Sequence, residues 1–139
     1  MSGIRIYLDG ACPRNGNEDA EAGWGIVCYE NGRYSFKKSG KVPGKQTNNR
    51  AELQGLLEAL KEVRRLKPES VEFLSDSGIL VDGVMGRAKR RANRDIWEQI
   101  EALFVELRED VAMSIRHVPR EENKEADHLA TQAANSLLL

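Results

Sequence analysis

The chain has 139 residues, 40% hydrophobic and 31% charged, a composition that fits one domain with a single core and excludes a disordered or fibrous polypeptide. Its formal net charge of −1 gives no global pull toward nucleic acid or anionic lipid, so any such contact must rest on local clusters. No apolar run is long enough to span a bilayer and no signal peptide opens the chain, while Cys12 and Cys28 lack metal-site spacing or a disulfide framework; the expectation is a cytoplasmic protein with free thiols.

Ile4, Ile6 and Leu8 alternate with Arg5 and Tyr7, which predicts a first strand running up to Asp9. Asn15, Gly16 and Asn17, with the acidic stretch after them, predict a loop. Residues 23–29 and 33–40 predict two more strands, and Asn31-Gly32 between them is a two-residue hairpin turn. The period then changes. Leu53, Leu56, Leu57, Leu60 and Val63 recur at helical spacing, with Thr47 or Asn48 as N-cap and Pro68 closing the helix. Residues 71–75 predict a fourth strand ending at Asp76. Residues 79–84 predict a short helix, with Gly83 and Gly86 as its stop. A basic connector follows, holding Arg87, Lys89, Arg90, Arg91 and Arg94. Ile96, Trp97, Ile100, Leu103, Phe104 and Leu107 mark another helix, with both Trp97 and Trp24 expected in the core. Val111, Met113 and Ile115 mark a fifth strand that ends at Pro119, and Ala126, Leu129, Ala130 and Ala133 mark a last helix. The order β-β-β-α-β-α-α-β-α describes one α/β domain over 1–139. Its five-stranded mixed sheet begins with three antiparallel strands and is flanked by helices.

Four carboxylates stand out on this frame. Asp9 and Asp76 end apolar strands, and Glu52 and Asp127 lie near the starts of amphipathic helices. Sheets of this kind gather ligands at the carboxyl ends of their parallel strands. Like charges converging there repel one another and call for divalent cations. Singly, each has a plain alternative as a turn residue, an N-cap or a surface charge, although a lone aspartate ending a buried strand is costly to desolvate. The connector's basic residues, and a looser set of Arg33, Lys37, Lys38, Lys41 and Lys45, fit either a solvated face or phosphate contact.

The chain carries Asp9-Gly10, Thr47-Asn48-Asn49-Arg50-Ala51-Glu52-Leu53, Ser75-Asp76-Ser77, Asn93-Arg94-Asp95-Ile96-Trp97 and an Ala-Asp-x-Leu-Ala core within 123–130. In that order, on matching elements, these blocks make it resemble ribonuclease H of type 1 from Ile4 to Ala134. The resemblance implies an RNase H-like fold. It also implies endonucleolytic hydrolysis of the RNA strand of RNA–DNA hybrids by two Mg2+ ions, with Mn2+ as a possible substitute. The products would carry 5′-phosphate and 3′-hydroxyl ends, with little sequence specificity. By resemblance Asp9 would bridge both metals, Asp127 would complete the site that activates water, and Glu52 and Asp76 would complete the other. Asn48 and Asn49 would touch the minor groove of the hybrid, where 2′ hydroxyls distinguish RNA from DNA. Asn15 and Cys12 would face the hybrid from a loop, and Thr47, Asn93 and Lys45 would grip a phosphate of the DNA strand. The hybrid is the expected partner of a monomer that needs no membrane and no obligate protein partner.

Three departures from the family pattern are visible. Arg120 stands where many relatives have a histidine, and an arginine cannot act as a base near neutral pH. His117 and His128 are read as structural and solvated, respectively, and not as its replacement. Gly78 replaces a glutamine that touches RNA. The short 86–94 connector replaces a long basic protrusion, so affinity would rest on Arg87, Lys89, Arg90 and Arg91. Two other readings remain at this level: a hybrid-binding module without activity, and an exonuclease or integrase-like transferase with similar carboxylates. Four intact carboxylates weigh against the first, and the Thr-Asn-Asn-Arg-x-Glu block against the second.

Overall fold

The computed structural model describes residues 3–90 and 92–136. Met1, Ser2, Arg91 and residues 137–139 lie outside the described residues. Three strands, β1 (Gly3–Ala11), β2 (Gly23–Glu30) and β3 (Arg33–Lys41), form an antiparallel meander. Helix α1 (Asn48–Leu66) follows, then β4 (Ser70–Ser75), α2 (Gly78–Val84), α3 (Arg94–Leu107), β5 (Ala112–His117), a 3₁₀ turn over Arg120–Glu122 and α4 (Lys124–Asn135). The sheet order is β3-β2-β1-β4-β5, with β4 parallel to both β1 and β5.

Local chemistry sets these boundaries. The β2–β3 turn places Asn31 at φ 51° and Gly32 at φ 82°. Both central residues of a hairpin turn that follows the strands' twist need positive φ, which asparagine and glycine accept most readily. Thr47 caps α1, its hydroxyl accepting the Arg50 N–H at 3.2 Å. The helix ends at Lys67, in the left-handed region at φ 51°, just before Pro68.

The apolar face of the sheet, carrying Ile4, Ile6, Leu8, Ile26 and Phe73, packs on Leu56, Leu60 and Val63 of α1 and Ile96 and Ile100 of α3. Each such side chain, fully buried, stabilises the fold by about 1.5–3 kcal/mol relative to exposure. The opposite face is covered by α4, whose Ala126 and Leu129 meet Val27. Trp97 is buried in the main core, and Trp24 is half-buried against it.

Two expectations are corrected. Gly83 does not stop α2 but lies inside it, and a Cβ there would come within 2.8 Å of the Trp97 ring. The missing side chain is what lets α2 seat on that indole; the helix ends at Met85, before Gly86 at φ 77°. Val111 is buried ahead of β5, which begins at Ala112.

Candidate active site

Parallel pairing of β1 with β4 ends at Tyr7 and Leu74, and two residues further each strand reaches its aspartate, Asp9 and Asp76. The topology thus sets two carboxylates side by side at the carboxyl ends of adjacent parallel strands. Glu52 joins them because β1 runs directly against the first turns of α1. A Cβ on Gly10 would lie 2.2 Å from the Glu52 backbone nitrogen, so only glycine permits this crossing. One oxygen from each of Asp9, Glu52 and Asp76 lies within 4.8 Å of the others. Asp127, on the first turn of α4, stands outside that triplet but is near enough to Asp9 to raise its pKa.

Asp9 is buried, and Glu52, Asp76 and Asp127 are half-buried. Asp9 is only 4% exposed. Burial, then the charge of Asp76 and the proximity of Asp127, push its pKa up to about 8, against a hydrogen bond from the Gly10 N–H at 2.9 Å. Glu52 is pushed up to about 7, chiefly by burial and also by Asp76, with a Ser77 hydrogen bond and the Arg120 charge opposing. Asp76 is raised by burial and by Asp127, with Arg120 and an Asn123 hydrogen bond opposing. Burial and mutual repulsion thus favour the protonated forms of Asp9 and Glu52. Its donors are all carboxylate oxygens, the set a hard divalent cation takes, so the residues fit a metal of that class.

Two further residues organise the site, and neither was singled out from the sequence. Ser77 caps α2 by accepting the Leu80 N–H at 3.1 Å, and it favours the charged form of Glu52. Asn123, 1% exposed, donates from Nδ2 to the Leu8 carbonyl at 2.9 Å, and its own carbonyl accepts the Asp127 N–H at 3.0 Å. It also favours the charged form of Asp76, so it links the surroundings of three carboxylates. Both residues sit inside recognised blocks, Ser75-Asp76-Ser77 and 123–130. That placement was the available signal.

The RNase H family model matches residues 1–135. The chain belongs to the RNase H family. It is similar to the ribonuclease H of Erythrobacter litoralis, at 33% identity over 97% of this chain and 98% of that protein. It is also 35% identical to that of Thiobacillus denitrificans, over 93% of this chain and 91% of the relative. Among solved structures, RNase H1 from the archaeon Halobacterium salinarum superposes with a TM-score of 0.80 at 27% identity, covering 94% of this chain and 96% of that one. LC11-RNase H1, solved in complex with an RNA/DNA hybrid, gives 0.80 at 27% identity, covering 95% and 96%. RNase H enzymes are metal-dependent nucleases, and the carboxylate cluster described above meets that requirement in this member.

Around the carboxylates of this RNase H lies an open groove of about 560 Å³, reached by Asn48, Asn49, Ser77, Gly78 and Arg120. Arg120 is 85% exposed, with its Nε 4.0 Å from Asp76. Asn48 Oδ1 accepts the Cys12 N–H at 2.8 Å and its own N–H donates to Asn15 Oδ1 at 3.1 Å, tying the loop after β1 to the start of α1. Asn49 and Lys45 are exposed, and Thr47 and Asn93 are half-buried. At Gly78 a Cβ would meet nothing within 4 Å, so the groove is open at this position.

Some expected contacts are placed elsewhere. The Cys12 side chain is 3% exposed and its thiol donates to the Gln46 carbonyl at 3.6 Å, so only its backbone borders the groove. Arg90 is turned inward: it ion-pairs with Glu101, donates to the Gly83 carbonyl at 2.9 Å and stacks 4.1 Å over Trp97. Arg87 pairs with Asp82 at 3.1 Å, whereas Lys89 is exposed with no ion pair among the described residues. His117, at the end of β5, and His128, on α4, are exposed.

Proposed function

We propose that this RNase H cuts the RNA strand of RNA–DNA hybrids internally, with two Mg2+ ions held by Asp9, Glu52, Asp76 and Asp127. The observation that carries this reading is the triplet of carboxylate oxygens within 4.8 Å at the base of an open groove. The hybrid bound to LC11-RNase H1 supports the substrate class. Held by these four carboxylates, the ions would supply water activation and charge stabilisation for the leaving 3′ oxygen. The same oxygens would accept Mn2+.

The protein's own residues orient these events. Asp9, the most buried of the four, would hold the ions together with Asp127, Glu52 and Asp76. Ser77 and Asn123 hold those carboxylates in place. Arg120 reaches over Asp76 from solvent, where its fixed charge steadies a phosphate without taking a proton. Asn48, Asn49 and Asn15 meet the minor groove, and Thr47, Asn93 and Lys45 hold a phosphate of the DNA strand. Contacts to backbone fix register without reading bases, so sequence preference is weak. From the connector, Lys89 and Arg87 add charge, and Arg90 holds the segment that presents them.

A uniform hybrid with end-labelled RNA, incubated in Mg2+, in Mn2+ and in excess chelator, tests this. A ladder of internal RNA cuts ending in 3′-hydroxyls, lost with chelator, is expected. Stepwise trimming from one end would instead make it an exonuclease. Salt-sensitive hybrid binding with no cut in either metal would make it a binding module.

A further inference from the structure

The Arg50 side chain is only 13% exposed and its guanidinium is surrounded by protein acceptors. Two N–H groups grip Asp95 as a fork, Nη1 to Oδ1 at 3.0 Å and Nη2 to Oδ2 at 2.7 Å. Nη1 also donates to Asn93 Oδ1 at 3.4 Å, and Nε to the Pro43 carbonyl at 3.3 Å. Gly44, at φ 82°, wraps so closely that a Cβ there would lie 3.1 Å from Nη2. One side chain thus joins three separate pieces of chain: the loop carrying Lys45, the start of α1 after Thr47, and the start of α3 after Asn93.

The bonding pattern has a directional consequence. Asn93 sits in the left-handed region at φ 58° and ψ 37° and makes no side-chain cap bond to its own helix. By donating to its Oδ1, Arg50 fixes the amide so that its NH2 donors point away from the guanidinium. The backbone N–H of Arg50 occupies the Thr47 hydroxyl as an acceptor, leaving that hydroxyl's own proton to donate. Both neighbours therefore present donors, the polarity an anionic phosphate requires.

We infer that Arg50 is a positioning residue of the DNA-phosphate pocket of Thr47, Asn93 and Lys45, its side chain orienting Asn93 and tying the loop that carries Lys45 to α1 and α3, and is not itself a phosphate ligand. This rests on the hybrid-cleaving reading given above. A lysine at this position keeps the charge but cannot reproduce the fork or reach three acceptors in one plane.

The test is a double-mutant cycle with Arg50→Lys and Asn93→Ala, reading hybrid Kd, KM, kcat and Tm. Arg50→Lys should raise Kd and KM about tenfold, the loss expected for a hydrogen bond to a charged group. Its kcat at saturating hybrid should stay near wild type. In the Asn93→Ala background the same change should add little, because its effect passes through Asn93. Additive losses would make Arg50 a direct ligand and overturn the inference, as would a lowered Tm with unchanged Kd. If Arg50→Lys fails to fold, Asp95→Asn frees one arm of the fork, and the same non-additivity with Asn93→Ala is required of it. Wild-type protein that binds no hybrid at all would instead sink the reading beneath it.

Discussion

At Asp9 burial, the charge of Asp76 and the nearby Asp127 all act against ionisation, and the Gly10 N–H alone acts for it. Asn in its place keeps the shape and removes the charge. Asp9→Asn is therefore expected to abolish cleavage while making the metal-free protein more stable at pH 8, with no cavity to offset the gain. Each pKa unit relieved is worth about 1.4 kcal/mol, so a Tm rise of several degrees in chelator is a reasonable scale. Thermal melts in chelator, run beside the cleavage assay, check both halves, and retained activity would remove Asp9 from the metal site. Arg120 poses the opposite case, since it is exposed and its charge is screened. Arg120→Ala should lower kcat by on the order of tenfold, less than the loss of a buried oxyanion donor, without affecting the fold. An unchanged rate would leave it a surface charge.

The connector between α2 and α3 shows that residues sharing one charge can be held differently by the fold. Lys89 is free to meet a phosphate, whereas Arg90 is committed to Glu101, Gly83 and the Trp97 ring. Lys89→Ala should reduce the slope of log Kd against log salt by about 0.9, the value of one phosphate contact, with Tm unchanged. Arg90→Ala should lower stability by ~1–2 kcal/mol, the scale of a stacked, hydrogen-bonded arginine. Salt titrations and melts on both variants separate the two roles, and matching profiles would erase the distinction. The same contrast explains what was legible in the sequence. Period-2 alternation gave β1, β3 and β5, short apolar runs gave β2 and β4, 3.6-residue spacing gave α1 and α3, and Asn31-Gly32 gave the hairpin, because each signal is local. Asp9 and Asp76 were legible as a pair because each follows an apolar run, although β1 continues past Asp9 to Ala11. Gly83 was misread as a helix stop because its reason for being glycine is Trp97, on another helix. The inward turn of Cys12 depends on Gln46, and the role of Asn123 depends on Leu8, 115 residues away. Those facts exist only once the chain has closed.

For the molecule as a whole, proton binding and metal binding compete for one cluster, and folding stability should report the competition. Asp9 rises from 3.8 to about 8 and Glu52 from 4.5 to about 7 on folding. Between those values the folded state holds protons that the unfolded chain has released, so metal-free stability falls as pH rises. That contribution is complete below about pH 4 and is lost as pH passes through 7 to 8. Asp95 has the opposite sign: the Arg50 hydrogen bond holds it at about 2, and its stabilisation is lost only as pH falls through that value. In chelator the stability optimum should therefore lie in mildly acidic solution and decline toward pH 8. A cation that binds only the folded, deprotonated cluster stabilises by mass action and should flatten the decline. The Tm gained on adding Mg2+ should then be small at about pH 5, where the protons of the cluster compete with the metal, and larger near pH 8. Melts across that range with and without Mg2+ measure it directly. A metal-induced shift independent of pH would mean the cation binds somewhere other than Asp9 and Glu52.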